Sequence, residues 1–145
     1  PTGRALDNSD RPGVQFNLPV SKQVGNFYVH LNAGATWLHG VPAGNASTTN
    51  LTSPTYAASV IWNTRPYLNL MLESVLTMQD DVIAPQQTSR QRVATISPGL
   101  RGGWTLNDSQ IILGTAVPFT FTEGDERDTA LLVYFSYELP FSANR

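Results

Sequence analysis

The chain has 145 residues, enough for one domain, and charged residues make up only 14% of them, with a formal net charge of −2. An average soluble domain has about 25% charged residues, so neutral polar side chains replace many charges here, and without a Lys/Arg cluster a nucleic-acid footprint is absent. The absence of cysteine excludes disulfides and thiolate metal sites, and no apolar run approaches the roughly 18 residues of a transmembrane helix.

Hydrophobicity alternates with a period of two along most of the chain, which predicts β-strands and not helices. The clearest case is 27–37, where apolar residues from Phe27 to Trp37 occupy one side and polar residues from Tyr28 to Thr36 occupy the other. In chain order the predicted strands are 14–20, 27–37, 56–63, 68–77, 94–104, 111–119 and 131–141, which makes seven. Several have about ten residues, the length that a tilted strand needs to cross a bilayer.

The predicted connections alternate between short and long. Segments 21–26, 64–65 and 105–108 are short, whereas 39–54, 79–90 and 122–128 are longer and polar. Outer-membrane barrels have short periplasmic turns, longer extracellular loops and an even number of strands. Since seven strands are predicted, we expect residues 1–12 to lie in an extracellular loop. Residues 1–145 are then the C-terminal portion of one barrel domain that is truncated at its N-terminus.

Aromatic residues fall at both ends of the predicted strands. Two belts separated by one strand length are what amphipathic rings at two membrane interfaces would form. The predicted interface aromatics are Phe27, Trp37, Trp62, Trp104, Phe119 and Phe141.

One side of the predicted strands is apolar with almost no charge, and the other is small and neutral-polar. If the apolar side contacts lipid and the polar side contacts an aqueous lumen, each side meets a medium of its own polarity. The predicted fold is therefore an all-β, antiparallel up-and-down transmembrane β-barrel, of which the C-terminal seven strands are present as a partial barrel. A soluble lipocalin-like barrel is the competing architecture, and it would pack its apolar side inward.

Short motifs in the C-terminal half carry a family resemblance. They are Ser97-Pro98-Gly99, Gly114-x-Ala116-Val117-Pro118 and Tyr137-Glu138-x-Pro140-Phe141, and the opening Pro1-Thr2-Gly3 adds to them. In these motifs the chain resembles the outer-membrane barrel family named for the meta-pathway of phenol degradation. The resemblance implies a channel for small hydrophobic or aromatic compounds, and it supplies no catalytic residues to carry over. One departure is that Ser142 to Arg145 extend past Phe141, which puts in doubt whether Phe141 is the terminal signal for the assembly machinery.

The polar sides of the predicted strands supply the candidate functional residues. The predicted lumen-lining residues are Tyr28, His30, Asn32, Asn69, Glu73, Ser97, Arg101, Ser136 and Glu138. Because a charge inside a barrel needs water or a partner, Glu73, Arg101 and Glu138 form either an ionic network that gates the lumen or three separately solvated charges.

Two further candidates are weaker. His30 could act with Ser59, Ser74 or Ser136 in a lipid-modifying barrel, although none has a diagnostic spacing, and a polar lumen histidine is the alternative. The acidic clusters Asp80-Asp81 and 123–126 could bind Ca²⁺ or bridge cations to lipopolysaccharide, or could be solvated loops.

The expected function is passive transport of small solutes across a bacterial outer membrane. A structural or adhesive barrel with a filled lumen is one alternative, and a lipid-modifying enzyme is another. We expect no enzyme activity, cofactor or metal. The expected partners are outer-membrane lipids, lipopolysaccharide, the barrel-assembly machinery and a small-molecule solute, and not nucleic acid.

Overall fold

The computed structural model describes residues 12–44, 46–84, 87–106, 109–124 and 127–139. These residues form strands connected by turns, and no helix among them is long and apolar enough to span a membrane. The strands are β1 (Gly13–Val24), β2 (Phe27–Pro42), β3 (Thr48–Arg65), β4 (Leu68–Ala84), β5 (Gln87–Leu106), β6 (Ser109–Ala116), β7 (Phe119–Thr122), β8 (Arg127–Thr129) and β9 (Leu132–Glu138).

All strand pairs are antiparallel and join into one sheet in the order β1-β2-β3-β4-β5-β6-β9, with β7 between β5 and β8. β6 and β7 share one register against β5, since Gly99 lies opposite Ala116 and Ile96 opposite Phe119. The interruption falls at Pro118, which has no N–H to donate to the ladder. β8 and β9 continue each other in the same way against β7 and β6.

The nine strands therefore occupy seven positions across the sheet, which matches the predicted number. The all-β, antiparallel up-and-down arrangement is confirmed. The described part of the sheet is open, because β1 pairs only with β2 and β9 only with β6.

Strand ends differ from the prediction on the side of the long connections. β2 continues to Pro42 and β3 starts at Thr48, while β4 and β5 are separated only by residues 85–86. The predicted loops 39–54 and 79–90 are thus mostly hairpin. The prediction was wrong because polar sequence was taken to mean loop, whereas the paired ends of hairpins can also be polar. The turn predicted at 64–65 lies instead at Pro66-Tyr67.

The end of the hairpin of β4 and β5 lies outside the ladders of its neighbours. β3 pairs with β4 only as far as Thr55 opposite Thr77, and β7 pairs with β5 only as far as Thr122 opposite Val93. Beyond those pairs, residues 78–84 and 87–92 form a ladder only with each other. In this end of the hairpin, residues 87–92 are exposed, whereas most of residues 78–84 are half-buried, and the Thr52 N–H of β3 bonds to Asp80 Oδ2.

The two faces of the sheet differ in exposure. On β2, Tyr28, His30 and Asn32 are half-buried, whereas Phe27 and Leu31 on the opposite side are exposed. We name the side of His30 the inner face and the side of Leu31 the outer face. Because a flat sheet would expose both sides alike, the sheet curls at β2 with its polar side inward, whereas β1 and most of β9, at its edges, are exposed on both sides.

The described residues contain almost no hydrophobic core. Buried hydrophobic side chains are limited there to Val41, Ala43 and Leu51, while thirty large hydrophobic side chains are exposed. Water-soluble domains of this size bury most of their large apolar side chains. A soluble barrel packs its apolar side chains inward, whereas here the apolar side chains lie on the outer face.

Candidate functional site

All nine predicted lumen-lining residues lie on the inner face. Residues opposite each other in an antiparallel ladder point to the same side of a sheet, so the pairings assign each position. His30 lies opposite Ser59, Ser59 opposite Glu73, and Glu73 opposite Ser97. The same alternation places Tyr28, Asn32, Asn69, Arg101, Ser136 and Glu138 on this side.

A row of polar residues crosses five neighbouring strands at mid-height. It consists of Ser21, His30, Ser59, Glu73 and Ser97. Ser21 Oγ lies 2.8 Å from His30 Nδ1. Sequence analysis missed Ser21, although it shares the polar side of the first predicted strand with Gln15 and Asn17, so continued alternation would have found it.

Two hollows open on the inner face, and Glu73 lines both. The first, of about 390 Å³, also has Ser97, Arg101, Tyr134 and Glu138 in its wall. The second, of about 320 Å³, has Ser21, His30, Asn32 and Ser59 in its wall. Glu73 itself is exposed, so its carboxylate lies where the two hollows meet.

The predicted network of Glu73, Arg101 and Glu138 is not formed by direct ion pairs. Among the residues that the structure describes, ion pairs join Asp80 to Arg90 and Arg92 to Glu123. Arg101 lies opposite Asn69, four residues along β5 from the partner of Glu73. Four residues span about 13 Å of strand, which separates the two charges, although all three charged residues line the same hollow.

Arg101 instead takes part in a row of amides. When the Asn69 amide is oriented with its nitrogen toward Asn63 Oδ1 (2.8 Å), its oxygen accepts from Arg101 Nη2 at 3.3 Å. The guanidinium is therefore held toward Asn69 and away from Glu73.

The surroundings of His30 favour hydrogen bonding over nucleophilic catalysis. Ser74 lies on the outer face opposite Ala58, so it cannot act with His30 across the sheet. Ser21 does contact the imidazole, but on β2, β3 and β4 the backbone N–H groups of this row are used in the ladders on both sides, and an oxyanion hole needs free donors. The row can hold a solute by hydrogen bonds.

The acidic cluster Asp80-Asp81 does not form a shared cation site. Neighbouring residues of a strand point to opposite faces, and Asp80 pairs on the outer face with Arg90, its Oδ1 2.7 Å from Arg90 Nε. Asp81 lies on the inner face and accepts from Gln79 Nε2 at 3.2 Å. In the second cluster, Asp125 and Glu126 lie outside the described residues.

The predicted interface aromatics that the structure describes all lie on the outer face. Phe27 and Trp62 are opposite each other and stack, with ring centroids 5.7 Å apart and planes at 17°. Trp37, Trp104 and Phe119 share that side, and Phe141 lies outside the described residues. The ten residue steps from Phe27 to Trp37 on β2 cover about 33 Å, which projects to about 25 Å at a tilt of about 40°.

Fold and site together define a class of architecture: an antiparallel meander sheet with a polar, hollowed inner face and an apolar, exposed outer face. Comparison with protein-family models, with curated proteins and with solved structures finds no match.

Proposed function

We propose that this chain is part of a bacterial outer-membrane β-barrel whose inner face lines a passage for small solutes. The observation that carries the proposal is the reversed polarity of the sheet, with the apolar face outward and the polar face in the hollow. Burying a large apolar side chain stabilises by about 1.5–3 kcal/mol. Lipid around the exposed outer face would supply that stabilisation many times over.

The dimensions of the outer face support a membrane location. Its aromatic residues on β2 are separated by a projected height of about 25 Å, which is the height of the apolar band of outer-membrane barrels. Asp80 and Arg90 lie level with Trp37, because the Thr52 N–H opposite Trp37 bonds to Asp80. The ion pairs Asp80–Arg90 and Arg92–Glu123 are therefore at the end of the band, where their side chains would reach the headgroup region.

The directions of the edge strands support a larger barrel. In a meander of seven positions the first and last strands run the same way, so pairing β1 directly with β9 would be parallel. An odd number of additional strands would close the sheet with antiparallel pairs throughout. Closure would also satisfy the backbone groups of both edges, which hydrocarbon cannot do.

The composition of the inner face supports a lumen that solutes can cross and not one that side chains fill. Its central row is hydroxyl, imidazole and carboxylate, and two hollows lie beside it. The resemblance noted above would make small hydrophobic or aromatic compounds the solutes, with lipopolysaccharide and the barrel-assembly machinery as partners.

Quenching of the chain's three tryptophans tests the membrane location. Trp37, Trp62 and Trp104 all lie on the outer face. In vesicles of brominated phospholipid we expect strong quenching of all three and weak quenching by aqueous acrylamide. Quenching by acrylamide alone would place the outer face in water and overturn the proposal.

Conductance tests the passage. The full-length protein in a planar bilayer is expected to give discrete single-channel steps. A correctly inserted barrel without such steps would favour the alternative of a structural or adhesive barrel with a filled lumen.

A further inference from the structure

Charged side chains are divided unequally between the two faces. Strand pairing and contacts assign each one among the residues that the structure describes. The inner face has four carboxylates and one guanidinium, a net charge of −3, from Glu73, Asp81, Asp128, Glu138 and Arg101. The outer side has five basic and two acidic groups, a net charge of +3, from Lys22, Arg65, Arg90, Arg92, Arg127, Asp80 and Glu123.

The inner carboxylates are distributed along the strands. Asp81 and Asp128 lie toward the long hairpin, Glu73 lies at mid-height, and Glu138 lies near the short turns. A solute crossing the inner face would meet negative charge at each level. Clefts lined by one sign of charge concentrate counter-ions.

The positive groups offset only one of the four inner carboxylates, and that one is included in the net charge of −3. Arg101 is held toward Asn69, and the outer guanidiniums of Arg90 and Arg92 lie against Asp80 and Glu123 on the far side of the sheet. Arg127 lies over the Phe121 ring, 5.9 Å from its centroid, also on the outer face. Glu73 lines both hollows and thus carries the mid-height charge.

From this division we infer that the inner face is a cation-selective path, with Glu73 as its central selectivity residue, for small inorganic cations and small solutes bearing an ammonium group. The inference rests on the proposed passage and adds the charge class of what passes. Carboxylate-lined pores favour cations in this way.

Zero-current potentials across a KCl gradient test the inference on the full-length protein in planar bilayers. We expect potassium to be favoured over chloride about threefold or more in dilute salt, with the preference falling toward 1 M because the screening length shortens from about 10 Å at 0.1 M to about 3 Å. Glu73→Gln should lower the ratio by about half, whereas the control Glu123→Gln, the same change on the outer face, should leave it unchanged.

The outcomes distinguish the proposed passage from its proposed cation selectivity. A conducting pore that favours chloride, or shows no preference at low salt, would overturn cation selectivity and leave the passage standing. Equal effects of Glu73→Gln and Glu123→Gln would remove Glu73 from its role. Wild-type protein that inserts without conducting would overturn the passage and the selectivity with it. The salt dependence of the wild type needs no variant and keeps the test valid if Glu73→Gln fails to assemble.

Discussion

Asp80 and Asp81 are consecutive in the chain, yet their side chains lie on opposite faces of the β4–β5 hairpin. Asp80 receives hydrogen bonds from Arg90 on the outer face, at 2.7 Å from Nε and 3.0 Å from Nη2, and its Oδ2 accepts from the Thr52 backbone N–H at 3.3 Å. Asp81 faces inward beside Gln79. Through its bond from the Thr52 N–H, Asp80 connects the end of the hairpin to β3.

The Asp80–Arg90 pair makes the end of the β4–β5 hairpin sensitive to acid. The Arg90 side chain, with help from the Thr52 N–H, lowers the pKa of Asp80 below its ordinary value of 3.8. Because the folded pKa is the lower one, the stabilisation is fully present above pH 3.8 and is lost as pH falls through the folded pKa. We expect hydrogen exchange of the hairpin amides to accelerate only below that range.

A pair of variants isolates this effect. Asp80→Asn should raise hairpin exchange already at neutral pH, whereas Asp81→Asn, the adjacent residue on the other face, should not. Equal exchange in the two variants would show that Arg90 does not stabilise the hairpin.

Gly102 on β5 leaves space for the Trp104 ring. A Cβ at Gly102 would lie 2.5 Å from Trp104 Cη2, whereas a Cβ at Gly103 would meet only Gln110 Nε2 at 3.7 Å. Gly102→Ala should displace the indole and lower the free energy of unfolding by about 1 kcal/mol. Gly103→Ala should raise it by about 0.5 kcal/mol, because the unfolded chain loses freedom. Unfolding in lipid vesicles followed by tryptophan emission measures both changes, and matching effects would contradict the packing of Trp104 on Gly102.

The Phe27–Trp62 stack couples β2 to β3 at the short-turn end. Stacked aromatic pairs contribute about 0.5–1.5 kcal/mol beyond area burial. A double-mutant cycle with Phe27→Leu and Trp62→Leu should give a coupling energy in that range. Trp37→Leu, on the same face of β2 but far from Trp62, serves as the control with Phe27→Leu, where the two losses should add.

A substitution at Leu72 on β4 tests whether the outer face contacts lipid or water. Its side chain is 51% exposed, so in water Leu72→Arg would be nearly neutral. In a bilayer an outward arginine near mid-height should destabilise by about 2–4 kcal/mol. Met71→Arg, one residue away on the inner face, should be tolerated because Met71 borders the hollow that Glu73 and Arg101 line. Folding titrations in vesicles compare them, and a harmless Leu72→Arg would argue against lipid contact.

The sequence determined that the chain forms seven strand positions and which face the side chains of the predicted strands occupy. Side-chain direction alternates with every residue of a strand, so this property is local and survives errors in strand ends. Tyr28, His30 and Glu73 could therefore be assigned to one face without any knowledge of pairing, and the seven positions followed from the same alternation.

Only the tertiary structure decided which residues lie opposite each other. Register depends on where each turn falls, and the turn between β3 and β4 lies at Pro66-Tyr67, two residues beyond the predicted 64–65. A shift of two residues keeps every side chain on its face but moves it to another row. In the same way, only the pairing within each hairpin shows that Arg101 lies opposite Asn69 and not Glu73, and that Ser21 lies opposite His30. Among the described residues, it also shows that no inner carboxylate has a basic residue opposite it in the ladder.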